Sequence, residues 1–163
     1  MPLTVGDTLP DVSLKTLGAQ GLEEIATGAL FAGKRVVLFA VPGAFTQACS
    51  ETHLPGFVVK ADVLFAHGVD ILACLAVNDA FVMRAWQKSQ NAEAILMLAD
   101  GHGDFTRAVG MENDRRAAGM GIRSLRYALI AEDGVVRFLG VDTERGVVDQ
   151  SSAEAVLAHL RGA

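Results

Sequence analysis

Arg35-Val36-Val37-Leu38-Phe39-Ala40-Val41-Pro42-Gly43-Ala44-Phe45-Thr46-Gln47-Ala48-Cys49-Ser50 decides how the chain is read. The apolar run to Ala40 predicts a strand buried on both faces, Pro42-Gly43 is a turn signal, and helical spacing follows. Cys49 is thereby placed in the first turn of a helix that leaves the C-terminal end of a central strand. At that end the unpaired N–H groups and the helix dipole favour an anion, so a thiol there can ionise near neutral pH and act as a nucleophile.

Outward from this stretch, strands and helices alternate. A short edge strand is expected at Val12–Leu14 and a helical turn at Leu22–Ile25. After the Arg35–Ala40 strand, Thr46–Ala66 reads as helix, with Leu54, Phe57, Val58, Ala61, Leu64 and Phe65 at helical spacing. Pro55 must interrupt or kink it. Val69–Val77 is a second buried strand, followed by a helix capped by Asn78 or Asp79 and running to about Lys88. Ile95–Leu98 is a third strand, and Gly110–Gly121 a loop or short helix. Leu125–Ala131 and Val135–Val141 form a hairpin around Glu132-Asp133-Gly134. Ser151 with Glu154 predicts a capping box opening a last helix to about Arg161. This order fits an α/β chain with a central mixed sheet flanked by helices.

Composition narrows the function classes. The 163 residues suit one domain, residues 1–163, with room for a core. A net charge of −5 argues against a nucleic-acid surface. No apolar run reaches the roughly 18 residues that span a bilayer, and the N-terminal residues lack a signal pattern, so a soluble, cytoplasmic protein is expected. The 51% hydrophobic content and positive mean hydropathy hint at a buried subunit face. Two cysteines, Cys49 and Cys74, without C-x-x-C spacing support neither a disulfide scaffold nor a dithiol motif. His53, His67, His102 and His159 lack ligand-like spacing, so no metal and no cofactor is expected.

Pro42, Thr46 and Cys49 have the spacing P-x-x-x-T-x-x-C, which resembles the peroxidatic motif of the peroxiredoxins in the AhpC/TSA-redoxin superfamily. Ser50-Glu51-Thr52-His53-Leu54-Pro55-Gly56-Phe57 is similar to the type-five subfamily, which includes the plant type II enzymes. Cys74–Met83, Ala85-Trp86, Leu98–Gly101 and Arg123–Leu129 extend the likeness from about Val5 to the last helix. The resemblance implies a thioredoxin fold and a thiol peroxidase acting on hydrogen peroxide and small organic hydroperoxides, with Cys49 passing through a sulfenic acid. It also implies that Arg126 is the catalytic arginine. Strand alternation puts Arg126 with Ala128 and Ile130 on one face, and leaves Arg123 off that face.

Within that reading Thr46 can accept the peroxide hydrogen and donate to the sulfur, and Pro42 shields the sulfur from water. Backbone N–H groups of the Gly43-Ala44-Phe45 turn would hold the peroxide oxygens, and Phe45 walls the pocket or meets a second subunit. His53 either modulates the sulfur or only packs beside Pro55. Trp86 and Phe81 read as core or interface, and Glu51 as solvent-facing. Many relatives carry a resolving cysteine near the C-terminus; Asp149-Gln150-Ser151-Ser152 has none. Cys74 remains as a possible second thiol, but its apolar strand favours a core role. An external thiol reductant is therefore expected, glutathione with glutaredoxin, or thioredoxin. The resemblance further implies a homodimer. Two rival functions are a thioredoxin-like disulfide reductase, against which the missing C-x-x-C counts, and a redox sensor or relay that oxidises a protein partner.

Overall fold

A computed structural model describes residues 2–162. The strands are β1 (Ser13–Gly18), β2 (Gly21–Ala26), β3 (Arg35–Ala40), β4 (Ile71–Ala76), β5 (Leu96–Ala99), β6 (Glu112–Asp114), β7 (Ile122–Ser124), β8 (Arg126–Glu132) and β9 (Val135–Asp142). The α-helices are α1 (Thr27–Phe31), α2 (Leu54–Ala66), α3 (Ala80–Ser89), α4 (Asp104–Ala108) and α5 (Ala153–Gly162). Seven strands form one mixed sheet in the order β2-β1-β5-β4-β3-β8-β9, and β6 pairs with β7 apart from it. β3, β4 and β5 run parallel, and β8 returns antiparallel to β3.

β3 lies at the centre because both its faces are apolar. Val37 and Phe39 pack with Phe57, Trp86, Ile130 and Val156 on one side of the sheet. Val36, Leu38 and Ala40 pack with Phe31, Phe105, Tyr127 and Leu129 on the other. Period-2 alternation thus feeds two cores, covered by helices on each face. Phe39 stacks on Phe57 with ring centroids 4.0 Å apart, which ties α2 to the central strand just beyond Cys49.

The helix after Cys49 opens with a wide π-type turn over Cys49–His53, in which the Leu54 N–H reaches back to the Cys49 carbonyl. Pro55, at the start of α2, has no N–H to return to the carbonyl four residues earlier. The expected interruption is therefore a widened turn that carries the cysteine.

Four local expectations differ from the structure. The short edge strand expected at Val12–Leu14 is β1, which runs to Gly18 and lies inside the sheet between β2 and β5. Leu22–Ile25 is not a helical turn but the middle of β2, which pairs with β1 from Ser13↔Ala26 to Gly18↔Gly21. β2 is an edge strand, largely exposed, so it shows no apolar alternation. Gly110–Gly121 contains β6 and a single 3₁₀ turn at Arg116–Ala118. The last helix is capped by Ser152, whose Oγ accepts the Ala155 N–H at 3.1 Å, and not by Ser151. The Ser151 hydroxyl is engaged elsewhere. Of the two candidates before α3, Asp79 caps it, accepting the Val82 N–H at 2.8 Å.

Candidate active site

Cys49 sits beneath the C-terminal end of β3, fully buried. Arg126, the first residue of β8, reaches it from the neighbouring strand and donates through Nη2 to Sγ at 3.2 Å. The register explains the meeting: Ala40, the last residue of β3, pairs with Tyr127, so residue 126 stands level with the turn that leaves β3. The arginine is only 5% exposed. It sets a charged, rigid fork of donors against the sulfur.

His53, left open by the sequence, holds that arginine. Arg126 Nη1 donates to His53 Nδ1 at 2.9 Å, and His53 Nε2 lies 2.8 Å from the Ser151 carbonyl. A guanidinium can only donate and a carbonyl can only accept. The imidazole is therefore the neutral tautomer with its proton on Nε2. Burial, then the adjacent Arg126 charge, pushes its pKa down to about 3. Its ring also packs against Phe39 and Phe57.

Behind His53 stands a second support that sequence reading missed. Asp142, the last residue of β9, accepts the backbone N–H groups of Asp149, Gln150 and Ser151 at 2.9, 3.0 and 2.9 Å. It also accepts the Ser151 hydroxyl at 2.6 Å. Burial pushes its carboxyl up, but these four hydrogen bonds outweigh burial and bring it below the usual range. The carboxylate folds residues 149–151 into a loop that aims the Ser151 carbonyl at His53. Gly140 makes room for it: a Cβ there would stand 1.9 Å from the Gln150 carbonyl oxygen. Asp142 and Asp149-Gln150-Ser151 carry no local signal, because their meaning lies in a contact between two segments.

The turn between β3 and the helix is arranged differently from expectation. Thr46 Oγ1 donates to the Gly43 carbonyl at 2.7 Å, so its proton is not available to the sulfur; its lone pairs remain to accept. The Ala44 N–H, expected to hold a peroxide oxygen, donates instead to Asn78 Oδ1 at 3.0 Å. Phe45 is 56% exposed and has φ of 64°, a left-handed conformation costing an L-residue about 1–2 kcal/mol. Gly43 is buried, and a Cβ there would meet Arg123 Nη1 at 3.0 Å. Pro42, Thr46 and Arg126 line a cavity of about 500 Å³; Cys49 is buried behind that wall and meets it through Arg126, whereas Gly43, Ala44 and Phe45 lie outside it.

Cys74 lies in mid-β4 with its side chain in the same cluster as Cys49. Burial raises its pKa well above the ordinary value, and the neighbouring Cys49 adds to that. Trp86 is core, donating to Ser50 Oγ at 3.0 Å, while Phe81 is exposed. Among the described residues, no three His, Cys, Asp or Glu side chains converge as a metal ion would require.

The Redoxin family model matches residues 4–157. Peroxiredoxin-2E-2, chloroplastic, from Oryza sativa subsp. japonica is 50% identical over 97% of this chain and 72% of its own. Peroxiredoxin-2C from the same source is 46% identical over 98% of this chain and 99% of its own. The chain belongs to the peroxiredoxins. Among solved structures, reduced Prx3 from Vibrio vulnificus in complex with hydrogen peroxide superposes with a TM-score of 0.93 at 52% identity, covering 97% of this chain and 99% of that one. The thioredoxin fold of this peroxiredoxin is thereby shown, and the chain stands among the thiol-dependent peroxidases.

Proposed function

We propose that the chain reduces hydrogen peroxide and small organic hydroperoxides through Cys49. The observation that carries this is the 3.2 Å contact from Arg126 to the Cys49 sulfur, braced by a neutral His53. The thiolate attacks the nearer peroxide oxygen, forming an S–O bond as the O–O bond breaks. The departing oxygen takes a proton and leaves as water or an alcohol, and Cys49 becomes a sulfenic acid. Thr46 Oγ1, having given its own proton to Gly43, accepts the peroxide O–H and orients it. Arg126 donates to the charge as it passes from sulfur to oxygen. Pro42 on the cavity wall limits water at the sulfur.

The return step uses a thiol from outside. Residues 149–152 contain no cysteine, and Cys74 is fully buried with its thiol held protonated. Glutathione, cleared by glutaredoxin or a second thiol, is the proposed reductant, with thioredoxin the protein alternative. A homodimer formed near the active-site helix is part of the same reading, supported by the exposed Phe45 beside it. The disulfide reductase reading has no C-x-x-C pair to support it, and no observation favours the relay reading over turnover with an external thiol.

The test is the rate at which reduced protein consumes one equivalent of hydrogen peroxide at neutral pH. A rate orders of magnitude above that of a free thiol, absent in Cys49→Ser, is expected. A rate equal to that of a free cysteine would end the proposal.

A further inference from the structure

The cavity lined by Arg126, Thr46 and Pro42 is far larger than the proposed oxidant needs. Hydrogen peroxide has two oxygens, and a water-sized unit takes about 30 Å³ in the liquid. Peroxide would fill only about a tenth of the 500 Å³. A second depression of about 170 Å³ adjoins it and shares Pro42, Arg115, Arg126, Arg145 and Gly146. The wall is more polar than apolar: Arg115, Arg126, Arg145 and Glu51 stand on it beside Pro42, Ala48, Ala118 and Met120.

Two of its charges are unanswered. Arg115 lies before the 3₁₀ turn and Arg145 after β9, and both share the cavity wall with Arg126. Arg35, Arg107, Arg116 and Arg137 each lie against a carboxylate. Arg115 and Arg145 have no such partner among the described residues, although the whole chain carries a net charge of −5. Glu51, on the same cavity wall, is a carboxylate likewise without an ion pair among the described residues. Beside Arg126 the larger cavity therefore offers two guanidinium forks and one carboxylate, while Asp142 and Glu144 line the smaller depression.

We infer that Arg115, Arg145 and Glu51 form the docking site for the reducing thiol, and that this thiol carries two carboxylates and one ammonium, as glutathione does. The inference rests on the thiol-peroxidase reading above and deepens it. Each guanidinium can take one carboxylate in a two-point pair, and Glu51 can take the ammonium. The thiol then lies over the Cys49 sulfenic acid. Its sulfur attacks the Cys49 sulfur; an S–S bond forms, the S–O bond breaks, and the hydroxyl leaves with a proton as water. A second thiol attacks the glutathione sulfur of the mixed disulfide, releasing oxidised glutathione and the Cys49 thiolate.

The experiment compares two thiols on the same oxidised protein. Wild type, Arg115→Gln, Arg145→Gln and the double variant are oxidised with one equivalent of hydrogen peroxide. Each is mixed with glutathione or with uncharged 2-mercaptoethanol, and the adduct is followed by mass spectrometry of quenched samples. The ratio of the two rate constants is expected to fall about tenfold in the double variant and about threefold in each single one, as exposed ion pairs of up to about 1 kcal/mol imply. Added salt should lower the same ratio in wild type and leave it flat in the double variant. An unchanged ratio, whether both rates fall or neither does, overturns the inference. If wild-type Cys49 proves inert to peroxide, the peroxidase reading fails separately. The docking site is then judged on reduced protein by titrating S-methylglutathione in calorimetry. Weaker binding to the double variant supports the site, and equal or absent binding to wild type and variant overturns it. Glu51→Gln should erase the preference for S-methylglutathione over its N-acetylated form; a retained preference removes Glu51 from the site.

Discussion

Cys49 and Cys74 share one buried cluster on one face of the sheet, and neither touches solvent. Their surroundings part at a single group. Arg126 donates to the Cys49 sulfur directly, whereas Cys74 is given no side-chain donor; burial pushes its thiol towards the protonated form, and the more distant charge of Arg126 opposes this without overcoming it. Burial by itself makes a thiol inert, because a thiolate in an apolar core lacks solvation. Burial with a fixed cation does the reverse, since the charge acts through a medium of low dielectric. The two cysteines are thus an internal control for what the arginine and its supports contribute.

The comparison breaks most completely at Arg126. Arg126→Gln should lower the rate constant of Cys49 with peroxide by about 10²–10³, the usual cost of one preorganised donor to a reacting charge. Stopped-flow measurement of the single oxidation step would show it, and a loss below tenfold would mean that the helix terminus alone activates the sulfur.

Next comes the loop that supports His53. Gly140→Ala would drive a methyl group to within 1.9 Å of the Gln150 carbonyl, so the loop must shift. A destabilisation of about 1–3 kcal/mol is expected from this overpacking. A roughly tenfold slower peroxide reaction should accompany it, because the Ser151 carbonyl would no longer meet His53. Urea unfolding and the same stopped-flow assay separate the two effects. Lost stability with an unchanged rate would confine Gly140 to the fold.

His53 provides a pH test with a definite sign. Its pKa is about 3 in the folded protein and near 6.5 in the unfolded chain. Between those values the unfolded chain binds the extra proton, so stability should fall as pH drops from about 6.5 towards 3. Arg126 and Asp142 are the charges that face the ring. In His53→Gln the Gln amide can still donate to Ser151 and accept from Arg126, but it cannot titrate. The pH slope over that range should flatten by roughly a few kcal/mol in total. Parallel stability curves for the two proteins would refute the neutral imidazole.

The smallest effect is expected at Cys74. Cys74→Ala removes one buried sulfur from mid-β4, costing about 1 kcal/mol, and should leave turnover with external thiol within about twofold. Arrest of turnover in a folded Cys74→Ala protein would instead give Cys74 a place in the cycle.

How much could be read in advance follows from how local each feature is. The β3 strand and the turn into Cys49 are written in consecutive residues, so period, Pro-Gly and helical spacing located them. The face of Arg126 followed from strand alternation. β2 escaped because an exposed edge strand has no buried face to impose a pattern. The capping residue slipped by one position because Ser151 and Ser152 are equivalent as a sequence, and only the Asp142 carboxylate claims the first. Thr46 was placed correctly, but the direction of its hydroxyl was not, because the Gly43 carbonyl competes for the proton at 2.7 Å.

By itself the sequence determined the α/β order and the β3 strand, and singled out Cys49 and Arg126, which the fold brings together, because each depends on spacing along one segment or on a motif. Only the tertiary structure decided that His53 is neutral and braces the arginine, that Asp142 holds the loop behind it, and that Arg115 and Arg145 share the cavity wall with Arg126 without a carboxylate partner among the described residues. Those outcomes depend on which atoms from distant segments meet, and hydrogen-bond partners and ion pairs are set by distances of a few ångström that no sequence spacing encodes.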